Sequence, residues 1–398
     1  MKNIALNERL AKISIFLREI PVYMAEFNTL QISVSAILLI SLITQLAYYW
    51  IVFARLAFLR KNEENPVKDF PPVSIVIAAH NEYHHLKENL PSILEQDYPN
   101  FEVIVVNHAS NDETSSLLKE LNLKYRALKL ITIEQDLNFF HGKKFPLSIG
   151  IKSAANDLLL LTDADCKPAS ALWIQKMASN YNDNTGVVLG YGPYEPEKGF
   201  LNRLIRYDTF LVAMQYLSFA IKGFPYMGVG RNLSYRKELF YKQKGFISHY
   251  TIASGDDDLF IGAVAMKNNT KVELAPESFV YSEPKHSFKA WLTQKRRHIS
   301  TGKRYKKKFK FMLGSYGSSL FVFYLSILFL LITRQMLYVV LGAWLLRIIT
   351  QLIIHKNILK RLNERHLLLF SLLWEPVHAL IIPLVGLMGL RSKDTKWE

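Results

Sequence analysis

The sequence predicts an α/β protein in which a domain built on a doubly wound sheet is held at a membrane by one helix before it and two or three after it. Three observations predict this. Residues 27–54 and 311–333 carry no charge, and about 20 apolar residues cross a bilayer as a helix. Between these stretches, short apolar runs at 73–79, 101–106, 128–133 and 158–162 alternate with helix-like segments. That alternation marks buried parallel strands joined by helices. Finally, 50% of the 398 residues are apolar, which is high for a chain that meets only water.

The organisation follows from the same patterns. Residues 1–26 form an amphipathic segment, 27–59 a transmembrane helix, 70–310 the globular domain, and 311–391 the C-terminal transmembrane helices. Lys2, Arg9, Lys12 and Arg18 precede any long apolar run, so no cleavable signal peptide is expected. Arg55, Arg60 and Lys61 follow the first span. Lys and Arg favour cytoplasmic loops, so the expectation is a multi-pass membrane protein with its globular domain in the cytoplasm. Segment 335–354 is broken only by Arg347, and segment 367–390 carries Glu375, His378, Pro376 and Pro383. Charges at that depth are costly, so Arg347 and Glu375 are expected to meet between the two C-terminal helices, the alternative being that Arg347 snorkels to the headgroups. The last segment reads as a kinked span or a re-entrant hairpin.

Composition narrows the function. The net charge is +15, but the basic residues cluster beside apolar runs without any zinc-ligand or base-stacking signature, which argues against nucleic acid. An anionic membrane surface or a phosphate-bearing substrate accounts for them better. The single cysteine, Cys166, excludes an internal disulfide framework and fits a reducing compartment.

In a doubly wound sheet ligands bind beyond the carboxyl ends of the strands. The first candidates are therefore His80, Asn81 and Glu82, then Asn107 and His108, then Asp136, then Asp163 and Asp165. The sharpest signal is Leu-Leu-Leu-Leu-Thr-Asp-Ala-Asp at 158–165, a buried run delivering two carboxylates one residue apart. Such a pair suits magnesium or manganese shared with substrate phosphates; the alternative is that both simply end a strand and cap the next helix. Ser-Gly-Asp-Asp-Asp-Leu at 254–259 packs three carboxylates, which repel if buried. It is either a functional site, where an aspartate takes a proton from an attacking hydroxyl, or an exposed acidic helix start. Gln-Lys-Arg-Arg-His at 294–298 offers guanidinium groups that match phosphate oxygens in pairs. Lys306–Lys308 reads instead as a membrane anchor. Gly142 with Lys143 and Lys144 is a weaker signal.

In this order, these residues resemble the large inverting glycosyltransferase family that contains cellulose, hyaluronan and chitin synthases and ceramide glucosyltransferase. The resemblance covers about residues 73–303: Ser-Ile-Val-Ile-Ala-Ala-His-Asn-Glu at 74–82, the strand at 103–106 with Asp112 and Thr114 beyond it, Gly142-Lys143, Thr-Asp-Ala-Asp at 162–165, the acidic triplet, and Gln294 with Arg297. It implies a GT-A fold with a mixed sheet, a nucleotide-diphosphate sugar donor with UDP favoured, Mg2+ or Mn2+, and inversion at the anomeric carbon. Asp165 would hold the metal, with Asp163 near the metal or the ribose. Ala79, Asn81, Glu82, Asn107, His108 and Lys143 would join Asp163 in binding the donor. A gap-free count back from residues 272–277 places the family's acidic pair at Asp257 and Asp258, making Asp258 the base and Asp257 its runner-up. Gln294 and Arg297 would approach the diphosphate. The chain departs from the family at Asn107 and His108, where an aspartate pair is usual, and at His298, where a tryptophan is usual.

The acceptor is read as a membrane lipid; the alternatives are a small processive polysaccharide synthase and a non-catalytic nucleotide-binding membrane scaffold. Residues 200–224 are apolar and aromatic with few charges, which suits an interfacial helix that admits a lipid or an ordinary buried helix.

Overall fold

A computed structural model of the protein describes residues 29–60, 70–135, 142–252, 254–334 and 336–390. The amphipathic segment expected at 1–26 and Asp136 lie outside the described residues. The chain divides into two compact units, one formed by residues up to Leu46 with Ser315–Thr350, the other by Ala47–Gly314 with the residues from Gln351 onward.

The first unit is helical. It contains most of α1 (Thr29–Ala47), the greater part of α11 (Lys307–Ile332), and the first half of α12 (Leu337–Arg361). Leu38, Leu42, Phe323, Ile327, Leu330, Val340 and Ala343 form its apolar core. Gln45 donates to the Tyr316 carbonyl (2.9 Å) and to Ser319 Oγ (2.7 Å). Its own Oε1 accepts from Arg347 Nη2 at 3.2 Å, and Arg347 is fully buried. The guanidinium thus faces protein, as its apolar surroundings demand. Among the described residues three helices are long and apolar enough to cross a membrane: Thr29–Ala57, Lys307–Ile332 and Leu337–Arg361.

The second unit carries the sheet. Its strands are β1 (Val73–Ala79), β2 (Phe101–His108), β3 (Leu128–Ile133), β4 (Leu158–Leu161), β6 (Val187–Leu189), β7 (Leu233–Arg236) and β8 (Thr270–Val272), while β5 (Cys166–Pro168) lies outside it. Their spatial order is β3-β2-β1-β4-β7-β6-β8. β1 pairs in parallel with β2 and β4, and β2 with β3. β7 runs antiparallel to both β4 and β6, so the sheet is mixed. Every residue of β1 and β4 is buried, which is why these runs show no polar alternation. The chain leaves β1 toward β2 and β3, then returns to the far side of β1 as β4. The carboxyl ends of β1 and β4 therefore flank a topological switch point, where open α/β sheets bind ligands.

A small second sheet pairs β5 with β9 (Val280–Ser282), setting Cys166 opposite Ser282. Helix α7 (Phe200–Lys222) is mostly buried and ends at Gly223, whose φ of +96° is the left-handed cap that glycine adopts without strain. Helix α10 (Phe288–Thr301) packs against α13 (Leu368–Leu390). Leu204 and Ile205 of α7, Trp291 of α10 and the α13 rings Phe370 and Trp374 meet in one cluster. Glu375 of α13 is buried and accepts from the Tyr49 hydroxyl at 3.3 Å.

Helix α5 (Lys144–Ser153) lies on β1 and β2 through a close approach at Gly150. A Cβ there would meet Val76 Cγ1 at 2.5 Å and Val106 Cγ2 at 3.1 Å. Gly150→Ala should therefore destabilise the domain by about 1–3 kcal/mol through overpacking, seen as a lowered midpoint in chemical denaturation; an unchanged midpoint would contradict this packing.

Candidate active site

β4 ends where its four buried leucines stop, and the chain then presents Asp163 and Asp165 at the switch point. Asp163 Oδ1 accepts from Lys143 Nζ at 2.7 Å. Asp165 Oδ2 accepts from Ser282 Oγ at 3.1 Å, and its Oδ1 from the Cys166 thiol at 3.2 Å. The ligand atoms of Asp163, Asp165 and Cys166 lie within 4.8 Å of one another. Burial pushes the Cys166 thiol up and keeps it protonated, so the available ligands are carboxylate oxygens. Two such oxygens beside a cavity fit a hard divalent cation that keeps positions for phosphate and water.

Lys143 and Lys144 are adjacent at the start of α5 and do different work. Lys144 is buried and donates to the carbonyls of His249 (3.1 Å), Ile252 and Ser254 (2.6 Å), tying down the segment that leads into the acidic triplet. Lys143 faces the cavity and pairs with Asp163 and, at 3.1 Å, with Asp256. Burial alone would lift the Asp163 carboxyl; the Lys143 charge outweighs this and holds it below the usual range.

The triplet's three carboxylates meet three environments. Asp256 is buried against Lys143, and burial with the charges of Asp257 and Asp163 raises its carboxyl. Asp257 Oδ1 accepts from the Asp258 N–H (2.7 Å) and Oδ2 from the Gly230 N–H (2.9 Å). Its carboxylate thereby caps α9 (Asp258–Val264). Asp258 Oδ2 accepts from the Tyr305 hydroxyl at 2.8 Å and from the Thr301 hydroxyl. Burial, with the nearby charge of Asp257, lifts its carboxyl to about 7.

One cavity of about 1010 Å³ joins these groups. Gln294, Arg297 and His298 of α10 line it together with Asp163, Asp165 and the triplet. Gln294 Oε1 accepts from the Tyr194 hydroxyl at 3.3 Å. Burial, then the charges of Arg297 and Lys295, push the His298 imidazole down to about 3, so it is neutral. Glu82 also lines the cavity, its Oε2 lying 2.6 Å from His85 Nδ1. That contact raises the His85 imidazole to about 9 against its burial.

The other candidates sit at strand ends without lining the cavity. Ala79 is buried at the end of β1. Asn81 has a φ of +56°, which asparagine tolerates, and its Oδ1 accepts from the Asn111 N–H at 2.7 Å. The Asn107 amide is committed to Ser115 and Ser110, at 2.7 and 2.6 Å. His108 is buried edge-on to Phe145.

Two family models match the chain: the glycosyl transferase family 2 model over residues 74–243 and the glycosyl transferase family group 2 model over residues 173–390. The chain belongs to glycosyl transferase family group 2. Among its relatives, the probable glycosyltransferase YdaM of Bacillus subtilis is 25% identical over 242 residues, covering 58% of this chain and 55% of the relative. The poly-beta-1,6-N-acetyl-D-glucosamine synthase of Staphylococcus epidermidis is 31% identical over 132 residues, covering 30% of each chain. The chain thus spans about half or less of the length of these curated relatives. In fold it is similar to the mannosyltransferase PcManGT from Pyrobaculum calidifontis, solved in complex with GDP-Man and Mn2+. That likeness has a TM-score of 0.56 at 19% identity, over 88% of this chain and 99% of the other. The fold is GT-A.

Several residues of the cavity are not marked by the sequence. Tyr194 and Arg231 line it, as does Asp208, which binds Lys295 Nζ at 2.5 and 2.6 Å. Burial opposes that charge, but Lys295 and His378 hold the Asp208 carboxyl well down. The one available signal was Gly-Val-Gly-Arg-Asn at 228–232, an arginine between a glycine turn and an apolar strand.

Replacing Lys143 with methionine would leave Asp163 and Asp256 without their cation. Removing one partner of a buried pair costs about 3 kcal/mol. The orphaned carboxylates would then have folded-state pKa values above their unfolded ones, so the loss is largest at pH 8 and shrinks as they take up protons toward pH 5.5. Unfolding midpoints of both proteins at the two pH values check this; a pH-independent difference would contradict it.

Proposed function

We propose that the protein transfers one sugar from a nucleoside-diphosphate sugar, UDP-linked by preference, to a membrane lipid at the cytoplasmic face, with inversion and with Mg2+ or Mn2+ bound at Asp165 and Asp163. The observation that carries the reading is the single cavity shared by the acidic pair, the triplet and α10. Its remaining wall supports a lipid acceptor: Ile205, Val212, Ala213 and Tyr216 of α7 line it, and so does Leu313 at the start of an apolar helix. Arg55 and Arg60 after the first span support the cytoplasmic side.

When bound, the cation would offset the charge of the departing diphosphate. The chain's own residues account for the rest. Arg297 and Gln294 orient the diphosphate. An acceptor hydroxyl attacks the anomeric carbon from the face opposite the leaving group; the new C–O bond forms as the bond to the diphosphate breaks, and the hydroxyl proton passes to a carboxylate. Asp258 is the proposed base. A carboxyl near 7 is matched to neutral pH, whereas Asp256 is held by Lys143 and Asp257 by two backbone N–H groups.

A second reading, a small processive polysaccharide synthase, is favoured by the similarity to the Staphylococcus epidermidis enzyme. Incubating reconstituted protein with labelled nucleotide sugars and lipid extracts, followed by mass spectrometry, separates the two. A lipid carrying one sugar supports the proposal, and a ladder of sugars contradicts it.

Asp165→Asn should abolish metal-dependent turnover through lost metal and donor binding; full turnover with unchanged metal dependence would overturn the metal assignment. Asp258→Asn should bind donor as the parent does but turn over roughly a hundredfold more slowly. In the parent, turnover should rise with pH through about 7 as Asp258 loses its proton, and that rise should vanish in the variant. If the selective loss falls on Asp256→Asn or Asp257→Asn, the base lies there instead.

A further inference from the structure

Two guanidinium groups line the cavity beside the acidic pair: Arg297, which the sequence marks, and Arg231, which it does not. Arg231 lies in the 3-10 turn Gly230–Asn232 that leads into β7. That turn is fixed on both sides. Asn232 is fully buried, accepts from Trp173 Nε1 at 3.0 Å, and donates to the carbonyls of Tyr191 (2.9 Å) and Ser278 (2.8 Å). The Gly230 N–H is held by Asp257 at 2.9 Å. Beyond the backbone, the guanidinium lies over the Tyr194 ring, 4.2 Å from its centroid, and the Tyr194 hydroxyl reaches Gln294 of α10.

The position is therefore set by the turn, by a ring face and, through that ring, by α10. Its donors are not used up. Arg231 Nη1 and Arg297 Nε are shielded from solvent and have no hydrogen-bond partner among the described residues. Of the four lysines that line the cavity, Lys143 is committed to Asp163 and Asp256 and Lys295 to Asp208, while Lys285 and Lys289 have no ion pair among the described residues. Among the described residues no carboxylate lies within ion-pair distance of either arginine. Buried N–H donors left without acceptors are rare and call for an explanation. A fixed guanidinium facing a cavity is explained by an anion with paired oxygens, which it binds better than an ammonium does.

Resting on the reading of the site as a sugar-nucleotide transferase, we propose that Arg231 is a second guanidinium ligand of the donor's diphosphate and that its stacking on Tyr194 positions it for that contact. As the bond to the anomeric carbon breaks, negative charge grows on the diphosphate. A cation already held in place stabilises that charge without reorganising.

The test compares diphosphates with monophosphates on the full chain in detergent with Mn2+. UDP, GDP, UMP and GMP are titrated calorimetrically into the parent and into Arg231→Ala, Arg231→Lys and Tyr194→Leu. The parent should prefer a diphosphate over its monophosphate. Arg231→Ala should lose about tenfold or more in diphosphate affinity, the scale of a charged hydrogen bond, with monophosphate affinity within about twofold. Arg231→Lys keeps the charge without the paired donors and should fall between, as should Tyr194→Leu. Gly192→Ala is a second perturbation, since its Cβ would stand 3.2 Å from Arg231 Cβ and 3.5 Å from Nε. If Arg231→Ala does not fold, Arg231→Lys and Gly192→Ala carry the same comparison. Equal losses for mono- and diphosphate, or parental diphosphate affinity in folded Arg231 variants, overturn the role of Arg231 alone. A parent that binds no diphosphate overturns the reading of the site as well.

Discussion

Lys143 stands between two carboxylates that reach it from distant parts of the chain, and the geometry of the site depends on that contact. Asp163 arrives at the end of β4 and Asp256 on the loop before α9. Without a cation between them the two would repel, and the loop bearing the triplet would have no electrostatic reason to lie at the switch point. Lys144, one residue on, turns inward and binds that loop through its carbonyls. A single helix start therefore both neutralises the site and pins the segment that completes it.

Contacts of the same kind tie the candidate site to the helices around it. Asp258 accepts from Thr301 at the end of α10 and from Tyr305 just before α11. Asp208 of α7 binds Lys295 of α10 and lies 3.3 Å from His378 of α13. The wall of the cavity is thus made by helices that lead into apolar segments. A displacement of α10 would be felt at once by Gln294, Arg297 and Asp258.

Much of this was legible in the sequence, and the reason is local. Four apolar runs announce β1 to β4; β1 and β4, buried on both faces, carry no alternation to disguise them, whereas the edge strand β3 keeps exposed residues. Asp163 and Asp165 follow from where β4 must end, and the basic cluster at 294–298 stands out by composition. The rest depends on contacts between residues far apart in sequence. Nothing local distinguishes Lys143 from Lys144, and nothing local shows that the Asn107 amide is occupied by Ser110 and Ser115. Arg231 belongs to the same class. Its significance comes from Tyr194 and Asn232, whose partners lie on β-rich segments and on α10.

The end of β4 is proposed to bind a divalent cation shared with a nucleoside diphosphate. Anomalous diffraction from crystals grown with Mn2+ and UDP or GDP tests it most directly. The account predicts one manganese peak about 2.1 Å from a carboxylate oxygen of Asp165, with the diphosphate between that ion and the arginines of the cavity. A manganese ion seated instead among Asp256, Asp257 and Asp258, or a diphosphate bound away from Asp163 and Asp165, would contradict it.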